Sequence, residues 1–527
     1  MLTNRRKSPS RRAALAGLAV GVLVAPFGFG RRAFAQADAA PAFAVDPFRL
    51  GVASGDPDAT SVVLWTRLAP EPLAVDGGMP DATVLVAWEI ANDAAMADIV
   101  GGGTTVAQPA SAHSVHVLAT GLSPGRTYWY RFQAGGAASR IGRTRTLPAP
   151  GADTRRFRIA VAGCQRIEQG HFTAWREIAD SDLDLVLHTG DYIYEYALPS
   201  GDIDRRMGFA VPDAALRKLA ALGDYRLRYA LYRLDPHLAA AHAAHPFVMS
   251  FDDHEVANDW AGDNAPKMSR DAFLMLRRAA FQAYYENMPV REAMRPRQSA
   301  MQAYRAIAVG NLLQLAVLDT RQYRSPHACD LDGKVRCAAR SDPGRTMLGA
   351  DQEAWLLDRL GRGETRWNVL GNQVMMMQCR YSDTAGDIVD IDKWDGYAAA
   401  RQRLLGGAAE RRTRGLVVLT GDIHHGLAGD LKVDFDAARS AAIGAELIGT
   451  SISSGGDGSP GKGTEQKLRI DNPHIRFYDN RRGYLLCDFD RQRCLATFRA
   501  VDKVTTPDGK LATAASFSID ADKPGLA

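Results

Sequence analysis

The hydrophobic and polar residues follow two different patterns before and after the segment Pro148–Thr154. From Phe43 to Thr146 the apolar residues form short alternating or β-branched runs that are separated by turns, without an amphipathic helix between them. These runs are Thr60–Leu68, Thr83–Ile90, His113–Ala119 and Thr127–Ala134. Short strands at such spacing predict a small antiparallel β-sandwich.

The turn into the last of these runs, Gly121–Tyr130, resembles the fibronectin type III turn into a late strand. In this resemblance Tyr128 takes the role of the tyrosine corner, whose hydroxyl bonds to the backbone a few residues upstream. The resemblance implies a fibronectin III-like β-sandwich over residues 43–147, followed by a linker over residues 148–154.

Residues 155–527 alternate between strand-like runs and helical periods, which is typical of a large layered α/β domain. Helices are predicted at Gly170–Asp180, Arg270–Glu286 and Asp351–Leu360. Buried strands are predicted at the mostly apolar runs Arg158–Ala162, Leu183–Leu187, Phe247–Phe251 and Leu416–Thr420.

Polar motifs follow directly on these four strands, and a fifth motif lies between the third and the fourth of them. The five are Gly163-Cys164-Gln165, Gly190-Asp191-Tyr192-Ile193-Tyr194, Asp252-Asp253-His254-Glu255, Gly371-Asn372-Gln373 and Gly421-Asp422-Ile423-His424-His425. An α/β protein places its ligands at the carboxyl ends of its strands. The pattern therefore predicts a metal-centred hydrolase.

The donors in these motifs indicate a transition metal on one side of the site. Asp191 has two carboxylate oxygens and can bridge two cations. Tyr194 lies where a tight loop can turn its phenolate toward one cation, whereas strand alternation sends Tyr192 to the opposite side. A phenolate and the thiolate of Cys164 favour Fe(III) over Mg²⁺. We expect His424 to reach the iron through a neutral ring nitrogen.

The remaining donors are oxygens, which indicate a second and harder cation. They belong to Asp191 again and to Asp253, Asn258, Asn372 and Asp422. An all-oxygen set suits Ca²⁺ more readily than Mg²⁺ when several protein ligands surround one ion. Ligand type thus predicts two unlike metals.

Such a pair of metals predicts hydrolysis at phosphorus. A water between two cations loses its proton near neutral pH and attacks, while both metals neutralise charge on a phosphoryl oxygen. His254 stands next to the predicted ligand Asp253, and it is the candidate for the general acid that protonates the leaving alkoxide.

The same motifs, in order across nearly the whole mature chain, resemble those of the PhoD family of secreted alkaline phosphatases and phosphodiesterases. This family is a branch of the calcineurin-like metallophosphoesterases and is related to purple acid phosphatases. The matching pieces are the five motifs, with the second extended to Glu195 and the fourth to Val374, and the segment from Gly449 to Asp457.

The resemblance implies a β-sheet sandwich flanked by helices, with an Fe(III)–Ca²⁺ centre. The iron side would hold Cys164, Asp191, Tyr194 and His424. Asp191 would bridge, and Asp253 or Asn258 together with Asp422 would bind calcium.

Two positions depart from the wider superfamily. Asp253 stands where the usual Gly-Asn-His motif has asparagine, and Asp422 replaces the first histidine of the usual Gly-His-x-His motif. Both changes introduce a carboxylate, which favours calcium over Zn²⁺ or Mn²⁺.

Four further residues are candidates for substrate binding: Arg166, Asn372, His425 and His474. Arg166 can clamp a phosphate through two hydrogen bonds, but a solvated surface arginine is an equally good interpretation. His425 and His474 are interpreted either as phosphate contacts or as hydrogen-bonded loop histidines. Asp252 and Glu255 are predicted to hold their loop by accepting hydrogen bonds from backbone amides.

The charge distribution argues for an exported protein and against a nucleic-acid-binding one. Seven lysines and arginines lie in the first 35 residues, where no acid occurs, so the formal charge of +4 becomes about −3 for the rest. Ser10-Arg11-Arg12, the weakly apolar stretch from Ala13 to Gly30 and Ala33-Phe34-Ala35 resemble a twin-arginine signal peptide over residues 1–35. The alternative is a membrane anchor, which Pro26 weakens.

Export by the twin-arginine machinery predicts a periplasmic or secreted protein with no membrane span after cleavage. In an oxidising compartment two local cysteine pairs are able to form disulfides, Cys329 with Cys337 and Cys487 with Cys494. For Cys379 and Cys487, a buried thiol is an equally good interpretation.

Three functions remain open at this level. The first is an exported phosphatase that acts on phosphate mono- or diesters of small molecules. An alternative within it is a phospholipase D-like enzyme that acts on phospholipid headgroups. The second is a thiol hydrolase with Cys164 as nucleophile. The third is a non-catalytic exported binding protein.

Overall fold

The computed structural model describes residues 42–329, 334–335, 337–381, 388–437 and 439–527. The predicted signal peptide lies outside the described residues.

The described residues contain strands throughout, whereas all of their α-helices lie at or after Thr173. The strands are β1 Val52–Gly55, β2 Val62–Arg67, β3 Val84–Ala91, β4 Ile99–Ala107, β5 Ser114–Ala119, β6 Thr127–Ala134, β7 Ala137–Ala138, β8 Gly142–Arg145, β9 Arg156–Ala162, β10 Leu185–His188, β11 Pro246–Met249, β12 Arg305–Val309, β13 Leu313–Val317, β14 Lys334–Val335, β15 Trp367–Gly371, β16 Val389–Asp390, β17 Leu416–Thr420, β18 Gly426–Lys432, β19 Ala442–Ile448, β20 Ile475–Asp479, β21 Gly483–Asp490, β22 Arg493–Val501 and β23 Leu511–Asp520. The α-helices are α1 Thr173–Asp180, α2 Ser200–Met207, α3 Asp213–Leu216, α4 Leu222–Arg233, α5 Pro236–Ala244, α6 Arg270–Asn287, α7 Gly349–Gly361, α8 Ala398–Glu410 and α9 Lys462–Asp471. Short 3₁₀ turns occur at Pro109–Ser111, Ile167–Gln169, Glu292–Met294, Ala338–Ser341 and Trp394–Tyr397.

Two large sheets form the centre of the protein. One has nine strands in the order β23-β22-β21-β9-β10-β11-β1-β2-β5, and the other has seven in the order β12-β13-β15-β17-β19-β18-β20. The apolar core between them contains Val161 and Leu187 from the first sheet and Val369 and Val417 from the second. Alternate residues of the same strands face helices, so the layers are helix, sheet, sheet and helix. The layered α/β prediction is confirmed.

The amino-terminal strands form two layers around one apolar core, as a β-sandwich does, and one of these layers is continuous with the nine-stranded sheet. β3, β4, β6, β7 and β8 form a sheet of their own. β1, β2 and β5 instead extend the nine-stranded sheet, because β1 pairs in parallel with β11. The Tyr128 hydroxyl accepts a hydrogen bond from the Ser123 amide at 2.8 Å, which confirms the tyrosine-corner role.

Parallel pairing brings the polar motifs to one edge of the two sheets. β9, β10 and β11 run parallel in one sheet, and β13, β15, β17 and β19 run parallel in the other. The motif glycines allow the two edges to meet, since a Cβ on Gly163 would lie 2.7 Å from Thr189 Oγ1 and one on Gly421 would clash with the same hydroxyl. The close approach therefore requires glycine at both positions.

The cysteines differ in part from the prediction. Cys329 and Cys337 form a disulfide, whereas Cys487 and Cys494 are both free and buried. The β21–β22 register explains the difference, because Cys487 lies opposite Ala496 and Cys494 lies opposite Phe489. The second pair is therefore not directly cross-strand.

Among the described residues, no helix combines the length and the apolarity that crossing a bilayer requires.

Candidate metal centre

Side chains from the strand ends form three overlapping groups of donors. In each group the donor atoms lie within 4.8 Å of one another: Cys164, Asp191 and His424; Asp191, Asp253 and His254; and Asp252, Asp253 and Asp422. Asp191 belongs to the first two groups and Asp253 to the last two. The structure thus brings five of the seven predicted ligands together in one continuous centre.

Four of these donors have an unusual backbone. Cys164, Asp191, Asp422 and His424 have φ values of 55°, 56°, 70° and 58°. The left-handed region costs a residue with a side chain roughly 1–2 kcal/mol. Such strain at four donors in one place is typical of a functional site, since the surrounding fold must hold each turn.

Tyr194 joins the first group through its hydroxyl. The hydroxyl lies 3.0 Å from Asp191 Oδ2, 3.2 Å from His424 Nε2 and 2.7 Å from Ser454 Oγ. Tyr192 points away and contacts His242 Nε2 at 3.0 Å. The predicted choice of Tyr194 over Tyr192 therefore agrees with the geometry.

Two positively charged side chains that the sequence did not point to lie against the third donor group, Asp252, Asp253 and Asp422. Arg321 is fully buried, and its Nε donates to Asp252 Oδ1 at 2.6 Å. Lys393 Nζ lies 2.5 Å from Asp422 Oδ2. Arg321 follows the end of β13, so the strand-end signal used for the other motifs was also present there. Lys393 follows only the two-residue strand β16, which belongs to neither of the two large sheets.

The buried carboxyl groups have strongly shifted pKa values. Burial, together with neighbouring acids, raises the pKa of Asp191 to about 6 and that of Asp252 to about 7, and it raises that of Asp422 well above the usual range. Burial also acts on Asp253, but Arg321 and His254 outweigh it and lower its pKa. The centre holds more buried carboxyl groups than positively charged side chains that could neutralise them, and this excess helps to raise the pKa values of the other three carboxyl groups.

Several carboxylate oxygens in the centre have no hydrogen-bond partner. They include Asp191 Oδ1, Asp252 Oδ2 and Asp253 Oδ1. Buried polar atoms without partners are rare, and an ion is one common explanation. Unpartnered oxygens beside a thiol, a phenol and a neutral imidazole fit a pair of metal ions.

The two histidines of the centre differ in charge. Burial lowers the pKa of His424 to about 3, and repulsion from His254 adds to this, so its ring is neutral and able to bind metal. Burial alone would lower the pKa of His254 as well, but Asp253, Asp191 and Glu195 raise it well above the usual range. Glu195 Oε2 lies 2.8 Å from His254 Nδ1 and orients the ring. The sequence reasoning had not assigned Glu195 a role.

Comparison with known proteins identifies the family of this chain. Residues 159–498 match the PhoD-like phosphatase family, and residues 34–148 match the N-terminal domain of PhoD-like phosphatases. The chain belongs to the PhoD-like phosphatase family. Alkaline phosphatase D of Bacillus subtilis (strain 168) is 44% identical over 524 residues, which cover 99% of this chain and 88% of that protein. A solved structure of PhoD superposes with a TM-score of 0.87 at 43% identity and covers 93% of both chains.

One carboxylate accepts three backbone hydrogen bonds around the centre of this PhoD-like phosphatase. Glu255 accepts hydrogen bonds from the amides of Asp191, Tyr192 and Asp252, as predicted. Asp252 was expected to do the same, but its carboxylate binds Arg321 instead. Arg321 is fully buried and needs a counter-charge, which explains the difference.

Arg166 and Asn258 lie beside the centre. The Arg166 guanidinium lies 5.4 Å from the centroid of the Tyr194 ring and pairs with Glu168. The Asn258 amide oxygen accepts a hydrogen bond from the Tyr196 hydroxyl at 3.0 Å.

The other three predicted substrate residues have contacts outside the centre. Asn372 is fully buried and bonds to Val374, Thr420 and Trp394, and His474 Nε2 lies 2.7 Å from the Gln378 carbonyl. For His474 this contact favours the alternative interpretation, a hydrogen-bonded loop histidine, and substrate binding by Asn372 stays a prediction. His425 Nδ1 lies 2.7 Å from Asn480 Oδ1.

Proposed function

We propose that this PhoD-like phosphatase is an exported, metal-dependent enzyme that hydrolyses phosphate mono- or diesters, with His254 as general acid. Its family makes the chain a phosphoric ester hydrolase, and a non-catalytic binding protein is thereby excluded. The metals, the proton donor and export are our proposals. The observation that carries the metal proposal is the joining of three donor groups through Asp191 and Asp253.

The donor types support Fe³⁺ on one side and Ca²⁺ on the other. Cys164, Asp191, Tyr194 and His424 would hold iron, because thiolate and phenolate favour a strongly Lewis-acidic ion. Asp191, Asp253 and Asp422 would hold calcium through oxygen atoms, and Asn258 remains a predicted ligand beside them. When bound, the two cations would neutralise phosphoryl charge and lower the pKa of water.

His254 would supply the proton for the leaving oxygen. Its Nδ1 is held by Glu195, its ring lies 4.2 Å from the Tyr194 ring, and 9% of the residue is exposed. A positioned acid with a raised pKa keeps its proton at the pH at which the ester is cleaved. Arg166 is near enough to the same rings to be proposed as a phosphate contact.

The twin-arginine-like start of the chain supports export to the periplasm or the medium, with the export machinery as a partner. The substrates proposed are phosphate esters, either small molecules or phospholipid headgroups. Removal of the first 35 residues from the secreted protein, measured by mass spectrometry, would test this route.

Metal analysis of the purified mature protein tests the proposed function directly. We expect iron and calcium to be bound, and we expect chelation to lower hydrolysis of p-nitrophenyl phosphate and bis-p-nitrophenyl phosphate at least about 100-fold. Both metals together, and neither alone, should restore it. Activity that survives chelation but is lost on cysteine alkylation would instead support Cys164 as a nucleophile.

The visible spectrum tests Tyr194 separately. Phenolate bound to Fe³⁺ should give a charge-transfer band, and Tyr194→Phe should shift or abolish that band. Tyr192→Phe is the matched control, since it removes an equally buried hydroxyl that contacts His242. An unchanged spectrum in Tyr194→Phe would remove Tyr194 from the ligands.

A further inference from the structure

The segment from Gly449 to Asp457 contributes no predicted ligand, yet it runs beside the candidate metal centre. It follows β19 directly, and its backbone amides bond along the first motif. The Ile452 amide donates to the Gly163 carbonyl at 3.0 Å, and the Ser454 amide donates to the Cys164 carbonyl at 3.2 Å. The segment therefore lies directly against one of the proposed iron ligands.

The Ser454 hydroxyl contacts three residues of the centre. Its Oγ lies 2.7 Å from the Tyr194 hydroxyl and donates to the Cys164 carbonyl at 2.7 Å. The same Oγ accepts a hydrogen bond from the Arg166 amide at 3.0 Å. Tyr194 and Cys164 are proposed iron ligands, and Arg166 is the proposed phosphate contact. One buried hydroxyl thus joins two ligands to the phosphate contact.

The backbone of Ser454 is fixed by its own hydrogen bonds. Ser451 Oγ donates to the Ser454 carbonyl at 2.6 Å, and the buried guanidinium of Arg482 donates to the same carbonyl. Arg482 also donates to Ser451 Oγ at 3.1 Å. The hydroxyl oxygen of Ser454 is therefore held in place, whereas its proton is free to rotate between acceptors.

Of the three partners of the Tyr194 oxygen, Ser454 is the one that keeps a proton when the others serve as ligands. The other two are Asp191 Oδ2 at 3.0 Å and His424 Nε2 at 3.2 Å. Metal ligands carry no proton at the binding atom, and Tyr194 would likewise bind as a phenolate. A charged oxygen is a stronger acceptor than a carbonyl, so the Ser454 proton would turn from Cys164 toward Tyr194.

We propose that Ser454 is a positioning residue, whose hydroxyl holds Tyr194 as an iron ligand and tunes its phenolate. The inference rests on the proposed function, because it requires Tyr194 to bind Fe³⁺. A hydrogen bond withdraws electron density from the phenolate, so more energy is needed to transfer an electron from it to Fe³⁺. Such partners also orient the ligand, and losing one typically costs roughly 10- to 100-fold in metal affinity or activity.

Ser454→Ala tests this role because it removes the hydroxyl. We expect the charge-transfer band to move to longer wavelength and the affinity for iron to fall about tenfold. Ser453→Ala is the matched control, since Ser453 is equally buried and its Oγ donates to the Arg166 carbonyl at 2.8 Å. The control should leave the band in place.

A double variant shows whether Ser454 acts through Tyr194. Added to Tyr194→Phe, Ser454→Ala should weaken iron binding by less than about twofold, because the ligand that it supports is already lost. Losses that multiply in full would show that the two residues act independently, and they would overturn the proposed role.

The wild-type protein allows a test without any substitution, which decides the matter if Ser454→Ala does not fold. Resonance Raman spectra in H₂O and D₂O should differ in the C–O stretching frequency of the phenolate, because the Ser454 hydroxyl proton exchanges. Equal frequencies, or an unmoved band in iron-loaded Ser454→Ala, would overturn the role of Ser454. Wild-type protein without a phenolate band would instead contradict the iron site of the proposed function.

Discussion

Asp191→Asn is expected to lower kcat/KM at least about 1000-fold and to remove most of the bound metal. Asp191 is shared by two donor groups, and its Oδ1 has no protein partner. A neutral amide lacks the charge and the second equivalent oxygen that a bridging ligand needs. Metal content by mass spectrometry and hydrolysis of p-nitrophenyl phosphate measure the two effects.

The same substitution should make the metal-free protein more stable at pH 8. Burial raises the pKa of Asp191 to about 6 in the folded protein, above its usual value of 3.8. The folded state then binds the proton more tightly than the unfolded state does, so its stability falls as pH rises between these values. The gain in Asp191→Asn should be on the order of 1–3 kcal/mol at pH 8 and smaller at pH 5.

Asp395→Asn is the control for this pair of effects. Asp395 is also buried, but its carboxylate accepts from Arg401 at 2.6 Å and it lies outside the donor groups. Its substitution should destabilise the metal-free protein, because Arg401 would lose its counter-charge, and it should leave metal content unchanged. Full metal content and activity in Asp191→Asn would contradict the bridging role.

His254→Gln is expected to lower kcat for glycerol 2-phosphate about 100- to 1000-fold. The alkoxide of glycerol is a poor leaving group and needs a proton, whereas p-nitrophenolate leaves without one. The loss on p-nitrophenyl phosphate should therefore stay below about tenfold. Parallel kcat measurements on the two esters give the comparison.

Glu195→Gln tests whether the charge of Glu195 raises the pKa of His254. The Glu195 carboxylate is one of the charges that raise the pKa of His254. Activity should decline at alkaline pH as His254 loses its proton, and without the Glu195 charge this decline should begin at lower pH. A purely structural role of Glu195 would lower the rate at every pH without moving the decline.

Equal losses on both esters in His254→Gln would contradict the role of His254 as the general acid.

Local patterns predicted much of the fold, because the hydrophobic periodicity of a helix or a strand is a property of neighbouring residues. The run Leu416–Thr420 is observed as β17 with the same bounds, and Arg270–Glu286 differs from α6 by one residue. β4 was not predicted, because three successive glycines hide its alternation. One of them, Gly102, would place a Cβ 2.9 Å from the Trp88 carbonyl, so the glycines reflect close strand packing rather than a turn.

The sequence alone determined the donor types and their positions at strand ends, since both depend only on residue identity and on the hydrophobic run that precedes each motif. The tertiary structure decided which donors meet. It placed Asn372 and His474 in packed surroundings, and it brought Lys393 to Asp422 across the fold. It also joined β1 to β11, which merged the amino-terminal strands with the catalytic sheet. These outcomes depend on contacts between residues far apart in the chain, and such contacts leave no local periodicity.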